Sequence, residues 1–275
     1  MDRSAAIPSS VDPTKPSAGR IYDHLLGGTE YLEVDRRAAE AIRKTAPEVE
    51  DAVWANRGFL QRSARWLAET AGIRQFIDIG AGLPTRNNTH DAAQAVAPDA
   101  RVVYVDNDPT IYEHARTLLD DADNTAFVQG DLRDPDGILN HPEVRNLLDF
   151  TQPIGLMLVA VAHFLSDEDD PWAVVRRLVE AVPSGSYLAL SHATSSRTNP
   201  TVIERIQQIY ANATEQTYFR PEEDIARFFE GLEIVPPYPD APPALTYVGL
   251  WGAEDPEQAD TEGSRWIMCA VARKP

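Results

Sequence analysis

The hydrophobic period of the chain changes at about residue 73. Before that point apolar positions recur at helical spacing. Residues 30–45 predict a helix with Ala38, Ala41 and Ile42 on one side. Residues 48–71 predict a longer one, in which Val49, Val53, Leu60, Ala64, Leu67 and Ala68 recur at intervals of three, four and seven. Gly72 is placed to end it, because a residue past a helix C-terminus commonly turns left-handed. Ahead of both helices, Ile21, Leu25 and Leu26 make a short apolar segment closed by Gly27 and Gly28. Residues 1–18 hold Pro8, Pro13 and Pro16 and little apolar matter, and predict a flexible arm.

Beyond residue 73 short apolar runs alternate with helical patterns. Strands are expected at 75–80, 101–106, 125–130, 154–161 and 186–191. Helices are expected at 87–97, 110–120, 135–148, 168–181, 198–213 and 221–230, with Asn87 or Asn88 capping the first. The fourth strand, Ile154 to Val161, is almost wholly apolar, as a central parallel strand covered on both faces must be. Two last strands, near 245–251 and 265–272, flank an acidic turn. Repeated strand–helix units give an α/β fold, an open parallel sheet with helices on both faces, whose ligands bind at the carboxyl ends of the strands. The organisation expected is an arm at 1–18, a helical extension at 19–72 and one α/β domain at 73–275.

Charge narrows the partners. With 43 acidic against 25 basic residues the formal net charge is -18, which disfavours nucleic acid. One cysteine, Cys269, permits no intrachain disulfide and no cysteine metal cluster; in its apolar run it reads as a buried strand residue. No apolar stretch reaches the roughly 18 residues of a membrane span. The first 16 residues lack the apolar core of a secretory signal, so a cytoplasmic location is expected. Glu113 and His114 are adjacent on a helix and diverge by roughly 100°, so they form no chelating pair, and no metal site is expected. The oligomeric state is left open.

Chemistry concentrates at the strand ends. Asp78-Ile79-Gly80-Ala81-Gly82 closes the first strand, where two glycines allow a tight turn and close approach of a ligand. Thr85 stands where a dinucleotide fingerprint has its third glycine, with Pro84 before it, which counts against a nicotinamide or flavin cofactor. Asp106 ends the second strand, where a carboxylate can accept two ribose hydroxyls; Asn107 and Asp108 follow as alternative caps. After the third strand, Gln129-Gly130-Asp131-Leu132-Arg133 offers either a carboxylate for an adenine amino group or a turn cap.

An acid before Gly-x-Gly, an acid ending the second strand and Gly-Asp-Leu after the third resemble class I S-adenosylmethionine-dependent methyltransferases over about residues 72–192. More narrowly, the whole chain resembles the actinobacterial S-adenosyl methyltransferase family, through residues 19–28, Asn56-Arg57-Gly58-Phe59-Leu60, Phe76 to Thr85 and Val159-Ala160-Val161-Ala162-His163-Phe164. The resemblance implies a Rossmann-like, seven-stranded, mostly parallel sheet with its last strand antiparallel. It implies S-adenosylmethionine as cofactor, bound at Asp78, Gly80, Gly82, Asp106 and Asp131, with Asn107, Leu132 and Ala160 beside them. Pro84 departs from the broad class, where a third glycine is common.

In this fold N-terminal helices often cover the cofactor. Residues 19–72 are accordingly read as a lid, with Tyr22 or Tyr31 near the sulfonium or the acceptor; a packed helical hairpin is the alternative. Arg57 is a candidate clamp for the cofactor's carboxylate. His163, after the fourth strand, is a candidate general base and Tyr22 a second catalytic candidate; a packed histidine is the alternative, and His192 has a weaker case. The expected function is methyl transfer to a small molecule. A non-catalytic S-adenosylmethionine or S-adenosylhomocysteine module, or a nicotinamide-dependent oxidoreductase, are the alternatives.

Overall fold

Runs of Val, Ile and Leu build five parallel strands at the centre of the molecule: β1 (Gln75–Ile79), β2 (Arg101–Asp106), β3 (Thr125–Gln129), β4 (Gly155–Val159) and β5 (Tyr187–Ala193). They lie in the order β3-β2-β1-β4-β5. The computed structural model describes residues 12–83, 88–112, 115 and 124–275. The arm before residue 12, Pro84, Thr85, the Asn87 cap, Glu113, His114 and most of the 110–120 helix lie outside the described residues. Progress along the sheet reverses between β1 and β4, and such a switch point opens a crevice at the carboxyl ends of the strands.

Three more strands complete the sheet: β6 (Glu233–Ile234), β7 (Thr246–Tyr247) and β8 (Ile267–Arg273). β8 runs antiparallel to β5 from Ile267 to Arg273. Its other edge is shared by β6 and β7, both antiparallel to it. Among the described residues eight strands therefore fill seven lanes, which is the mostly parallel sheet with an antiparallel last strand that was expected. The two last strands expected near 245–251 and 265–272 are present and pair as β7 and β8, but the first is cut to two residues. The acidic turn between them holds a short helix, Pro256–Ala259, started by the Asp255 side chain, which accepts the Gln258 N–H at 3.3 Å.

Period-two alternation feeds two cores. Ile77, Ile79, Leu156, Leu158 and Ala270 pack on one face. Phe76, Met157, Val159, Cys269 and Val271 pack on the other. Cys269 is fully buried, and burial pushes its thiol well up.

The N-terminal third forms α1 (Ala18–Leu25), α2 (Glu33–Thr45) and α3 (Val49–Glu69). α3 is apolar on two sides. Phe59, Leu60 and Leu67 join the sheet core, while Val53 joins a third cluster with Ile21, Leu25, Ala39, Ile42 and Ile206. Gly72 takes φ +71, and the Ile73 N–H closes back on the Leu67 carbonyl at 2.9 Å. The expected 135–148 crossover divides into Pro135–Leu139 and Pro142–Leu147. Pro142 lacks an N–H and starts a helix more readily than it continues one.

Candidate functional site

After Ile79 the chain turns through Gly80 and Gly82, at φ +73 and +65. The Gly80 N–H donates to the Val105 carbonyl at 2.8 Å, fastening the turn to β2. A Cβ on Gly80 would come within 2.3 Å of the Val161 side chain, so both conformation and packing demand glycine there.

Asp106 stands at the end of β2, buried beside this turn. One carboxylate oxygen accepts the Gly82 N–H at 2.8 Å and the other the Asp108 N–H at 3.0 Å. Burial pushes its pKa up to about 6, against the opposing pull of these N–H groups. Each oxygen retains acceptor capacity for a ligand hydroxyl.

A wide cavity opens over these strand ends. Gly80, Gly82, Asp106, Asn107, Asp131, Leu132 and Ala160 line it from the sheet side, with His163 from the segment after β4. Tyr22 and Arg57 line it from α1 and α3. Asp131 is half-exposed and accepts its neighbour's Arg133 N–H at 2.8 Å, so it is a turn cap as well as a wall residue. Asn107 donates to Glu215 at 3.0 Å, and Glu215 receives Arg133 at 2.7 Å. Ala160 adopts φ +58, and its N–H donates to the Ser191 hydroxyl at 2.9 Å.

Asp78 does not line this cavity. It faces a smaller recess with Arg57, Asn88 and Thr89, where it accepts the Thr89 hydroxyl at 2.6 Å. In β1 the odd positions Ile77 and Ile79 occupy one core face, so Asp78 shares the opposite face with Phe76 and points beneath the helix that Thr89 begins. Arg57 borders both spaces and donates to Asn88 at 2.7 Å. Tyr31 packs edge-on to His24, with ring centroids 4.4 Å apart, and is not part of the wall.

Burial raises Asp78 from 3.8 to about 6, opposed by the Thr89 hydrogen bond and by Arg57. A carboxyl raised on folding supports the fold below its unfolded value and ceases to as pH rises through the folded one. Asp78→Asn is therefore expected to gain stability relative to the unchanged protein between about pH 4 and pH 7, by on the order of 3 kcal/mol. Denaturant melts across that range measure it; a difference that stays flat with pH contradicts it.

The two histidines near the β4 and β5 ends are neutral at neutral pH. Burial, and then Arg220, lower His163 to about 3, and its Nδ1 faces the Ala193 N–H at 3.4 Å. His192 gives its Nδ1 proton to the Ala193 carbonyl at 2.8 Å and accepts Arg220 at Nε2 at 3.0 Å. That fixes its tautomer and engages its lone pair.

Asn56, to which no role was assigned from the sequence, is 2% exposed. Its Oδ1 accepts the Ser191 hydroxyl at 2.6 Å and its Nδ2 donates to the Tyr22 hydroxyl at 3.0 Å. Tyr22 in turn donates to the Val53 carbonyl at 3.0 Å. A polar chain thus runs from β5 to α1 through α3. The available signal was a mid-helix asparagine on an apolar face, a residue type that costs helix stability unless it is used.

The described wall carries Asp23, Asp106, Asp108, Asp131 and Glu215 against Arg57 and Arg133. Such a lining repels a pyrophosphate and suits a ligand with ribose hydroxyls and positive charge. S-adenosylmethionine fits this donor set.

A family model described as S-adenosyl methyltransferase matches residues 4–275. The chain is similar to the crystal structure of a candidate methyltransferase from Thermobifida fusca YX, at 39% identity and TM-score 0.89, over 98% of this chain and 99% of that chain. It is similar to a DUF574 family protein from Streptomyces avermitilis MA-4680, at 41% identity and TM-score 0.88, over 96% and 99%. An O-methyltransferase family protein from Burkholderia thailandensis, 16% identical over 88% of this chain and 60% of that chain, shares the fold at TM-score 0.50. Curated proteins give no match.

Proposed function

The chain belongs to the S-adenosyl methyltransferase family, and from that premise we propose that its cavity holds S-adenosylmethionine with the ribose on Asp106 and methylates a small molecule beneath the N-terminal helices. The observation that carries this reading is the Asp106 carboxylate, fixed by two backbone N–H groups at the rim of a glycine turn. When bound, the cofactor supplies a methyl group already activated by a sulfonium. The protein's part is then mainly alignment, which can be worth roughly 7–11 kcal/mol.

Further roles follow from position. Gly80 and Gly82 let the backbone approach the ligand. Asn107, Asp131, Leu132 and Ala160 border the adenosine side, and Arg57 is placed for the cofactor's carboxylate. Asp78 acts at one remove, holding Thr89 and with it the helix start beside Arg57. Residues 19–72 serve as the lid of the domain at 73–275. Tyr22 contributes its aromatic face, which attracts a cation, since its hydroxyl proton is engaged by Val53. His163 is assigned to the acceptor wall; with a pKa of about 3 it is too weak a base to take a proton efficiently at neutral pH. A cytoplasmic setting is part of the proposal, and the free, buried Cys269 suits it.

Incubation with methyl-labelled cofactor and a fractionated extract tests the acceptor class. Label is expected in the low-mass fraction; label confined to protein or nucleic acid contradicts the reading. Cofactor affinity is also expected to fall as pH drops through about 6, because a protonated Asp106 loses acceptor capacity. Calorimetry with S-adenosylhomocysteine between about pH 5 and pH 8 measures this; a loss that survives unchanged in Asp106→Asn would assign it elsewhere.

A further inference from the structure

The cavity has two unlike halves. Asp106, Asp108, Asp131 and Arg133 stand at the strand ends and the loops that follow them, with Arg57 beside the glycine turn and Glu215 beyond Tyr210; Asp23 comes from α1, where its carboxylate accepts the Glu30 N–H at 3.0 Å. Its cap half is otherwise apolar: Leu26, just past α1, and Val49 and Val53 of α3 meet Ile206, Tyr210 and Trp266 across the space. Aromatic rings recur in this half, where Phe164 and Phe219 join Tyr22, Tyr210 and Trp266.

Cations are committed. Arg133 is held by Glu215 at 2.7 Å and by Asp131 at 3.2 Å. Arg57 is bound to Asn88 at the glycine-turn side. Among the described lining residues there is no lysine and no third arginine. An anionic acceptor would enter the apolar half without a countercharge, a costly transfer for a charged group.

Polar capacity does exist where the halves meet. The Tyr22 hydroxyl donates to Val53 and accepts from Asn56, which leaves it one lone pair. Asn56 uses one amide hydrogen on Tyr22 and its oxygen on Ser191, which leaves one amide hydrogen. One acceptor and one donor side by side match a single neutral hydroxyl, which gives and takes one hydrogen bond.

Resting on the methyltransferase reading above, we propose that the acceptor is an uncharged, largely apolar ring compound whose body packs between the cap helices, Tyr210 and Trp266, and whose hydroxyl is recognised by Tyr22 and Asn56. Flat rings bury well against flat rings, and a neutral body avoids the five carboxylates of the wall.

The test titrates four probes at neutral pH into the full chain saturated with S-adenosylhomocysteine: 2-naphthol, naphthalene, 2-naphthoate and 1-decanol. 2-Naphthol is expected to bind tightest, naphthalene about tenfold more weakly for want of the hydroxyl, and 2-naphthoate weakest of the ring compounds. In Asn56→Ala the preference for 2-naphthol over naphthalene is expected to shrink while naphthalene binding persists. Equal or tighter binding of 2-naphthoate overturns the proposal, as does a preference for 1-decanol over 2-naphthol. So does failure of all four probes to bind while S-adenosylhomocysteine binds. Failure of S-adenosylhomocysteine itself to bind is a different result: it overturns the cofactor reading, and this inference with it.

Discussion

Asp106→Ala is expected to weaken S-adenosylhomocysteine binding by roughly 100-fold or more while leaving the protein folded. A hydrogen bond to an ionised group is worth about 1.5–3 kcal/mol, and two ribose hydroxyls would each lose one. The loss has a second source. The carboxylate also ties Gly82 at 2.8 Å and Asp108 at 3.0 Å. Without it the glycine turn is freer, and ordering that turn is charged to binding. Asp106→Asn keeps one acceptor oxygen, so an intermediate loss is expected there. Calorimetry measures affinity and a thermal melt checks folding. A change under about fivefold in a well-folded Asp106→Ala protein contradicts the assignment of the ribose to this residue.

Arg20→Met should produce the largest loss of stability. Arg20 is 4% exposed and Asp35 is fully buried. The guanidinium Nε meets Asp35 at 2.8 Å, while Nη1 meets Asp108 at 3.1 Å and Thr110 at 3.2 Å. Ser17 reinforces the same junction, with its N–H on Asp35 at 2.8 Å and its hydroxyl on Asp108 at 2.7 Å. This cluster joins α1 and α2 to the loop that follows Asp106. Methionine keeps the bulk of the stem but strands two carboxylates, and breaking a buried pair on one side costs about 3–5 kcal/mol. For a chain of this size that lowers the melting temperature by on the order of 10 °C. Arg20→Lys retains charge without the planar fork and is expected to lose less. Limited proteolysis is expected to cut Arg20→Met between α1 and α2 sooner than the unchanged protein. Melting within about 1 °C of the unchanged protein contradicts this account of the junction.

Local pattern carried much of the structure. β4 was readable because Leu156 to Val159 are apolar on both faces, and α3 because its apolar residues keep a helical period over 21 residues. Gly80, Gly82 and Asp106 were readable because a strand end, a turn and a following strand end fix their separation. Side-chain direction was not. Asp78 was grouped with the cofactor residues by its place in the motif, but alternation along β1 turns it toward Thr89. β6 has two residues, too few to show a period. The apolar half of the cavity was hidden for a different reason. Its residues come from α1, α3 and the stretch from Ile206 to Phe219, and only folding brings them together. The protonation of His163 likewise depends first on its burial and then on Arg220, which is distant in sequence.

Occupancy of the cavity by the cofactor is tested most directly by calorimetric titration of the full chain with S-adenosylmethionine and S-adenosylhomocysteine, with NAD as control. Saturable binding of both sulfur ligands at one site per chain, with no binding of NAD, is expected. Absence of binding by either sulfur ligand would contradict it.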